Sequence, residues 1–518
     1  MASAEQPIRA AEVVGALSLA TDLGTGQPLE HALRTAVLAV RLGELTGATQ
    51  KELADAYYVA LLHASGCTSN GHEAIQVYDD DIAHRAAFFL IDATNPAEVL
   101  AFYRSNIGAG KPPAVREALV QDALANAGPR AREGFATMCE VAQRFAGWLE
   151  LGPEVEAALE FVFARWDGRG FPNVSGDELP PPIRLLHVAR DISLFLSASG
   201  PEEARDVIER RRGTAYDPRL ADAAVANFGD LVADLDEARM WQQAIDSEPP
   251  PQRTITGAGL DAAFMAIAAL ADLKSPWLRQ HSTGVAELAE AAAWRMGQSG
   301  EAVTTLRRAA LAHDLGRVGV SNAIWEKAGP LGFGEWERVR LHPHFSERAF
   351  SQSQALTPVG VLAGSHHERL DGSGYHRGTV GNGLERSARI LAAADCYTAM
   401  REARPYREAF DAPGAESALV REAREGRLDA DAVDAVLSAA GHRPEPRTRE
   451  LPGGLTEREL EVLQVLVRGA SNQAIADRLG ISARTVGHHV QHVYQKVGVK
   501  SRAAATVWAY EHGLVSAS

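Results

Sequence analysis

Five histidines and two aspartates between positions 281 and 395 are the residues of this chain best suited to chemistry. His281 stands in RQHSTGV, His313 and Asp314 in AHDLGRVGV, and His342 in LHPHF. His366 and His367 open HHERLDGSGYH, and Asp395 lies in AAADCYTA. Imidazole nitrogen and carboxylate oxygen together suit iron, manganese or zinc, and two metals sharing a bridging carboxylate can clamp a phosphate for in-line attack. Any one of these histidines alone would more often be a core or surface residue, so the weight lies in the group.

Ligands for two metals must be held at nearly fixed distances, which favours helices over loops. The surrounding text supplies them. LDAAFMAIAALADL and VAELAEAAAWRM carry apolar residues at helical spacing, and TTLRRAALAHDLGR ends a helix on the His313–Asp314 pair. Two proline-bearing stretches read as linkers, because a helix interior does not tolerate proline: residues 246–257, with a triple proline, and residues 441–453. They divide the chain into segments 1–245, 258–440 and 454–518.

The first segment is intelligible only when laid on the second. His31 precedes His63 by 32 residues, as His281 precedes His313; Asp167 in WDGRGFP precedes Asp191 by 24, as Asp371 in LDGSGYH precedes Asp395. Two equal spacings, each in similar text, identify a tandem repeat. The first copy is longer by about 46 residues, inserted between Cys67 and Arg132. It has also lost ligands. Ala64 stands for Asp314, Met138 for His342, and Val162 and Phe163 for His366 and His367. The survivors His31, His63 and Asp191, without a bridging carboxylate, cannot hold two metals, so the first copy reads as a pseudo-enzyme.

Composition sets the outer bounds. A chain of 518 residues should hold about three domains, and one rich in Leu, Ala and Val with few aromatics should be all-α. The net charge of −15 argues against a general polyanion binder. Three scattered cysteines point to a reducing compartment rather than a disulfide framework. No signal pattern opens the chain, and the longest apolar run, from Ala262, is too short to span a bilayer. The expectation is a cytoplasmic protein with no membrane partner.

Residues 258–440 resemble an HD-GYP phosphohydrolase domain, through HDLGR, the segment KAGPLGFGEWERVRLHPHF, the HH pair, GSGYH and REARPYREAF. The resemblance implies that His281, His313, Asp314 and Asp395 hold one metal and that Asp314 bridges to a second held by His342, His366 and His367. It implies iron or manganese as the two divalent ions, and Asp314 and Arg317 as the catalytic pair. Arg317, Gly374, Tyr375, Arg404 and Arg407 would meet a cyclic dinucleotide, cyclic di-GMP in the family. Two positions depart from the family pattern: Arg317 replaces the lysine of HDxGK, and His376 replaces the proline of GYP. Trp277 stands four before His281, where three-metal members carry glutamate, which favours two metals.

Residues 454–515 resemble a LuxR-type helix-turn-helix domain. TERELEVLQVLV has a Thr cap and an apolar face on Leu460, Leu463, Leu466 and Val467, and Gly480 ends a short helix before a new one capped by Ser482. That helix would lie in the major groove of double-stranded DNA, with Ser482, Arg484, Thr485, His488, His489 and Lys496 as the contacts. Gly487 stands where the family often has lysine. From Leu451 onward seven Lys or Arg face five Asp or Glu, a net of +2, which leaves −17 on residues 1–450. Such a basic appendage suits DNA, and an apolar stripe on the last helix (Ala504, Val507, Trp508) would supply part of a homodimer contact.

Together these features describe an all-α regulator: two helical-bundle HD-type repeats, then a four-helix DNA-binding domain, with the second repeat hydrolysing or sensing a cyclic dinucleotide. Two alternatives stand beside it: an inactive nucleotide sensor controlling DNA binding, and a phosphodiesterase merely localised by its DNA-binding tail.

Overall fold

The helix that delivers the His-Asp pair spans Gly300–Ala312. Ser299 caps its start by accepting from the Ala302 amide, and it ends at His313, so Asp314 opens the short turn Leu315–Gly319. This computed structural model describes residues 7–442, 452–467, 469–512 and 514. They fall into two compact units, divided between Arg443 and Pro444.

The larger unit is all-α except for one antiparallel pair, Ile8–Arg9 with Thr254–Ile255, the sole sheet among the described residues. Helices Ala10–Thr25, His31–Leu45, Gln50–Leu62 and Pro181–Ser199 form the first repeat. Gly257–Asp272, His281–Arg295, Gly300–Ala312 and Arg386–Arg401 repeat them. The correspondence reaches single atoms. His31 and His281 each begin a helix after a residue of positive φ, Glu30 at 71° and Gln280 at 61°. A Cβ on Gly66 would lie 1.8 Å from the Met138 carbonyl oxygen, and one on Gly316 would lie 2.0 Å from that of His342. Only glycine permits that approach, so Met138 does occupy the place of His342.

A single apolar core runs through both repeats, from Ile8 to Leu437. Residues 246–257, read as a linker, are packed rather than free. The buried Glu248 carboxylate accepts from Arg9 Nε at 3.0 Å, the Tyr58 hydroxyl at 2.5 Å and the Arg253 amide at 3.0 Å. The prolines do forbid a helix there, but they leave the segment free to dock as a strand. Of the second linker, residues 443–451 lie outside the described residues.

The insertion of the first repeat folds into helices Gly71–Ala74, Asp81–Leu90, Pro96–Asn106 and Pro113–Ala125. It is bolted to the second repeat by one fully buried carboxylate. Asp81 accepts from Lys274 Nζ at 2.8 Å, Arg85 at 2.8 Å, Ser321 Oγ at 2.7 Å and the Asn322 amide at 2.8 Å. Burial opposes its charge, but Lys274 and Arg85 outweigh this and hold the carboxyl below its ordinary range.

In the smaller unit, helices Glu457–Val467, Asn472–Leu479, Ala483–Lys496 and Arg502–Glu511 enclose their own core on Val462, Leu463, Leu466, Ile475, Val486 and Val493. Leu460 and Val467 pack against it half-buried. Gly480 ends its helix in the left-handed conformation at φ 65°, and Ser482 caps the next by accepting from the Thr485 amide. On the last helix Ala505 and Ala509 face this core, whereas Val507 is 57% exposed. No helix among the described residues is long and apolar enough to cross a membrane.

Candidate functional site

The seven predicted metal ligands converge. His281, His313 and Asp314 form one group, all buried, and His342, His366 and the half-buried His367 form another. Asp314 faces both. Its Oδ2 lies 3.5 Å from His281 Nε2 and 3.5 Å from His313 Nε2, while Oδ1 lies 3.4 Å from His342 Nε2 and 3.7 Å from His366 Nε2. Asp395 closes the opposite side, with Oδ1 3.4 Å from His281 Nε2 and Oδ2 3.7 Å from His367 Nδ1. Donor atoms about 2.1 Å from a shared metal stand about 3.0–3.4 Å apart at octahedral to tetrahedral angles, close to these separations.

The hydrogen bonds set which nitrogen of each ring faces inward. Nδ1 of His313, His342 and His366 lies 2.6–2.7 Å from the carbonyl oxygens of Ala310, Val339 and Ala363. A carbonyl only accepts, so each Nδ1 carries the proton and each Nε2 presents a lone pair to the centre. The consequence is a set of unmet acceptors. His313 Nε2 is buried with no hydrogen-bond partner, and the Nε2 atoms of His342 and His366 face each other at 3.0 Å. Two opposed lone pairs repel unless a cation lies beside both, so the donor set fits divalent metal.

Electrostatics agree. Burial and then the neighbouring imidazoles push the His366 ring down to about 3, so it is neutral and ready to ligate. Burial opposes charge on Asp314 too, but Arg317 and the surrounding histidines hold it well below the carboxylate range. His281 goes the other way: burial would lower it, yet Asp395, Glu402 and Asp314 push it up to about 10. This is a pocket of fixed negative charge that draws cations, protons included.

The remaining predicted residues divide. Arg317 donates to Asp314 Oδ2 at 3.0 Å, and its guanidinium lies 3.9 Å from the Trp325 ring centre, stacked beside the ligands. Tyr375 packs against His367 with ring centres 4.8 Å apart. Gly374 is required by packing, because a Cβ there would meet the His367 carbonyl oxygen at 2.5 Å. Arg404 donates to Glu402 at 2.6 Å and to the Trp277 carbonyl. Arg407 is not brought into the cluster; its guanidinium donates to the carbonyls of Ala399, Met400, Glu402 and Glu408 and so shapes its own loop.

Two supporting residues escaped the sequence reading. Glu402 accepts from His281 Nδ1 at 2.9 Å and orients that ring, although 121 residues separate them. Ser346 donates to the His313 carbonyl at 2.6 Å and accepts from the Gly316 amide, clamping the turn that carries Asp314. REARPY contains Glu402 in plain view, but only its arginines attract attention as phosphate partners.

The corresponding positions of the first repeat are arranged differently. His31 and His63 remain buried with ring centres 5.8 Å apart, and His63 Nδ1 contacts the Ala60 carbonyl at 2.7 Å. Burial pushes His63 down to about 4. Asp191 is occupied by Arg190 Nε at 2.9 Å, Arg211 at 3.1 Å and the Tyr216 hydroxyl at 2.6 Å.

In the smaller unit Arg484, Thr485 and His488 are exposed near the start of helix Ala483–Lys496, and His489 is half-buried. Ser482 is taken up by its cap, and Lys496 by an ion pair with Glu459 at 2.6 Å.

Known proteins place both units. Residues 266–432 match the HD domain family, and residues 454–509 match bacterial regulatory proteins of the luxR family. The chain is 29% identical over 455 residues to 3'3'-cGAMP-specific phosphodiesterase 3 of Vibrio cholerae, a match that covers 87% of this chain and 98% of that one. Only 261 residues follow Gly257, so this likeness runs through the first repeat as well. Over 146 residues the chain is 40% identical to the cyclic di-GMP phosphodiesterase response regulator RpfG of Xanthomonas campestris, covering 28% of this chain and 38% of that one. The crystal structure of the V. cholerae cyclic GMP-AMP phosphodiesterase V-cGAP3 superposes with a TM-score of 0.60 at 27% identity, covering 86% of this chain and all of that one. The chain therefore joins an HD domain, whose relatives are HD-GYP phosphodiesterases of cyclic dinucleotides, to a C-terminal domain of the luxR family of bacterial regulatory proteins.

Proposed function

We propose that residues 258–440 hydrolyse a 3'3'-cyclic dinucleotide at a two-metal centre, that residues 1–245 form a metal-free repeat, and that residues 454–518 carry the output to DNA. The observation that carries this reading is Asp314, whose two oxygens face two separate groups of histidines. His281, His313, Asp314 and Asp395 would hold one divalent ion, and Asp314, His342, His366 and His367 the other, with iron or manganese suited to this mixed nitrogen and oxygen set. When bound, such a pair supplies hydroxide near neutral pH and neutralises phosphate charge.

The chain's own groups do the rest. Arg317, braced on Trp325, offers a planar fork to a phosphodiester oxygen. Tyr375 lies beside His367 at the edge where a base or ribose would rest. Glu402 holds His281 in register and is itself held by Arg404. Arg407 supports the binding loop from behind.

The extent of likeness favours one substrate over the other. The relative matched through both repeats is named for 3'3'-cGAMP, while RpfG, matched over a shorter stretch, is named for cyclic di-GMP. The purified manganese-loaded chain should therefore cleave 3'3'-cGAMP, and cyclic di-GMP more slowly, as read by chromatography of the products. A fully metal-loaded chain that binds either nucleotide without cleaving it would replace the enzyme reading with that of a sensor.

For the DNA-binding unit, Arg484 and Lys500 are exposed cations on an excess of only +2. Duplex affinity should fall steeply with salt, and Arg484→Ala should weaken binding by about 1–3 kcal/mol in a fluorescence anisotropy titration. A dimer reading a near-palindrome is the arrangement proposed, with exposed Val507 on its contact face. If the two halves are coupled, saturating cyclic dinucleotide shifts the full-length titration; an unchanged curve indicates simple tethering.

A further inference from the structure

The first repeat has lost its ligands but not its cavity. Two adjoining cavities of about 460 and 670 Å³ lie between the inserted helices and helix Ala127–Trp148, the smaller one reaching along the loop 162–171, and they share Phe88, Tyr103, Phe135 and Phe163 in their walls. Both volumes are within the range of about 300–1,000 Å³ typical of small-molecule sites. The Phe135 and Phe163 rings are stacked at 4.2 Å and Phe88 lies 6.1 Å from Phe135, giving flat apolar faces. Phe163 and Phe171 stand where the second repeat has His367 and Tyr375, so this is the counterpart of the catalytic mouth.

Its charge has changed with its ligands. Five arginines line the smaller cavity, Arg132, Arg165, Arg169, Arg190 and Arg211, against the single carboxylate Asp191. Asp92 and Asp167 pair with Arg165, and Asp167 with Arg169, from behind. Counting all three aspartates still leaves a surplus of two positive charges. Arg190 matters most. It occupies the position of Ala394, and its guanidinium reaches Asp191 at 2.9 Å and the carbonyl of Val162 at 3.5 Å, the counterparts of ligands Asp395 and His366. A fixed cation thus stands where the other repeat gathers metal ligands. Arg132 on the rim is exposed and makes no ion pair among the described residues.

Arginine forks bind phosphate bidentately, and aromatic faces accept purine rings by stacking. We propose that the first repeat binds a purine nucleotide in this cavity, with phosphate on the arginines and the base among Phe88, Phe135 and Phe163, and without hydrolysing it. The site goes beyond the proposed catalytic function and does not depend on it. It also gives the insertion a task, because helix Asp81–Leu90 supplies both Phe88 to the cavity and Asp81 to the second repeat.

Photolabelling of the full-length chain with 8-azido-AMP and 8-azido-GMP, followed by peptide mapping, tests the site directly. Saturable labelling is expected between Phe88 and Tyr216, separate from any labelling between His281 and Arg407. Arg132→Glu, an exposed substitution the fold tolerates, should weaken it about tenfold or more, and Phe135→Ala should weaken it independently. Competition by unlabelled AMP, GMP and 3'3'-cGAMP then distinguishes a mononucleotide from the intact cyclic substrate as the occupant. Labelling confined to the second repeat, or labelling between Phe88 and Tyr216 that neither variant changes, would overturn the proposal.

Discussion

Asp314→Ala should strip at least one metal ion from each chain and reduce cyclic-dinucleotide turnover by on the order of 10³-fold or more. Its carboxylate faces two histidines of each cluster, with Oδ2 3.5 Å from His281 and His313 and Oδ1 3.4 and 3.7 Å from His342 and His366, whereas Asp395 reaches the second cluster only at His367. Without it each cluster keeps its imidazoles but loses the anion that offsets cationic charge between them. Metal pairs supply several kcal/mol of transition-state stabilisation, and each 1.36 kcal/mol is tenfold in rate. The fold should survive, since the turn is also held by Ser346 and by the close approach of Gly316 to the His342 carbonyl. His63→Ala is the matched control and should change neither metal content nor rate. Elemental analysis of both variants decides it; metal retained by Asp314→Ala and lost by His63→Ala would reverse the roles of the two repeats.

The second large effect is on stability. Asp81→Ala should cost about 3–5 kcal/mol, because it leaves the fully buried Lys274 ammonium without its counter-ion. At about 2.1 cal/mol/K of unfolding entropy per residue, a unit of this size should lose roughly 3–5 °C in Tm. Lys274→Met should also destabilise. The double variant Asp81→Ala with Lys274→Met should lose much less than the sum of the two single losses, since the pair disappears together. Arg85 then keeps Asn70 Oδ1 and the backbone carbonyl of residue 81, each 3.0 Å away, and the Gly24 carbonyl at 3.4 Å. Additive losses in calorimetry would mean that the carboxylate and the ammonium act separately.

Much of this architecture was legible in residue spacing. The equal intervals of 32 residues run in both repeats from the first residue of one helix to the residue that ends the next, and Met138 sits against Gly66 as His342 sits against Gly316. The helix that ends on His313 was readable because its apolar period breaks there. Local rules stop short of tertiary choices. The triple proline at 249–251 excludes a helix, yet whether such a segment dangles or docks depends on Glu248 meeting Arg9, 239 positions away. Partners such as Glu402 for His281 and Asp81 for Lys274 leave no periodic trace, because a polar contact between distant segments has no spacing rule. Charge type alone likewise left the arginines undivided: Arg317 braces against the centre, whereas Arg407 is spent on backbone carbonyls. Arg190 was invisible as a cation at the metal position until its reach to Asp191 and Val162 was seen.

The insertion changes how the two repeats relate. The first repeat keeps His31 and His63 buried, shares a core with the second and fastens to it through Asp81. Ser321 and Asn322, which hold that carboxylate, follow directly on the turn Leu315–Gly319 that carries Arg317. The inserted helices and the segment that follows the Arg317 turn are thus tied through one buried carboxylate.

Two metals should lie on either side of Asp314 and none in the first repeat. Anomalous diffraction at the manganese edge, on crystals of the manganese-loaded chain, measures this most directly. Two peaks are expected, one among His281, His313, Asp314 and Asp395 and one among Asp314, His342, His366 and His367. A single peak would rule out the two-metal centre, and any peak between His31, His63 and Asp191 would put metal in the first repeat.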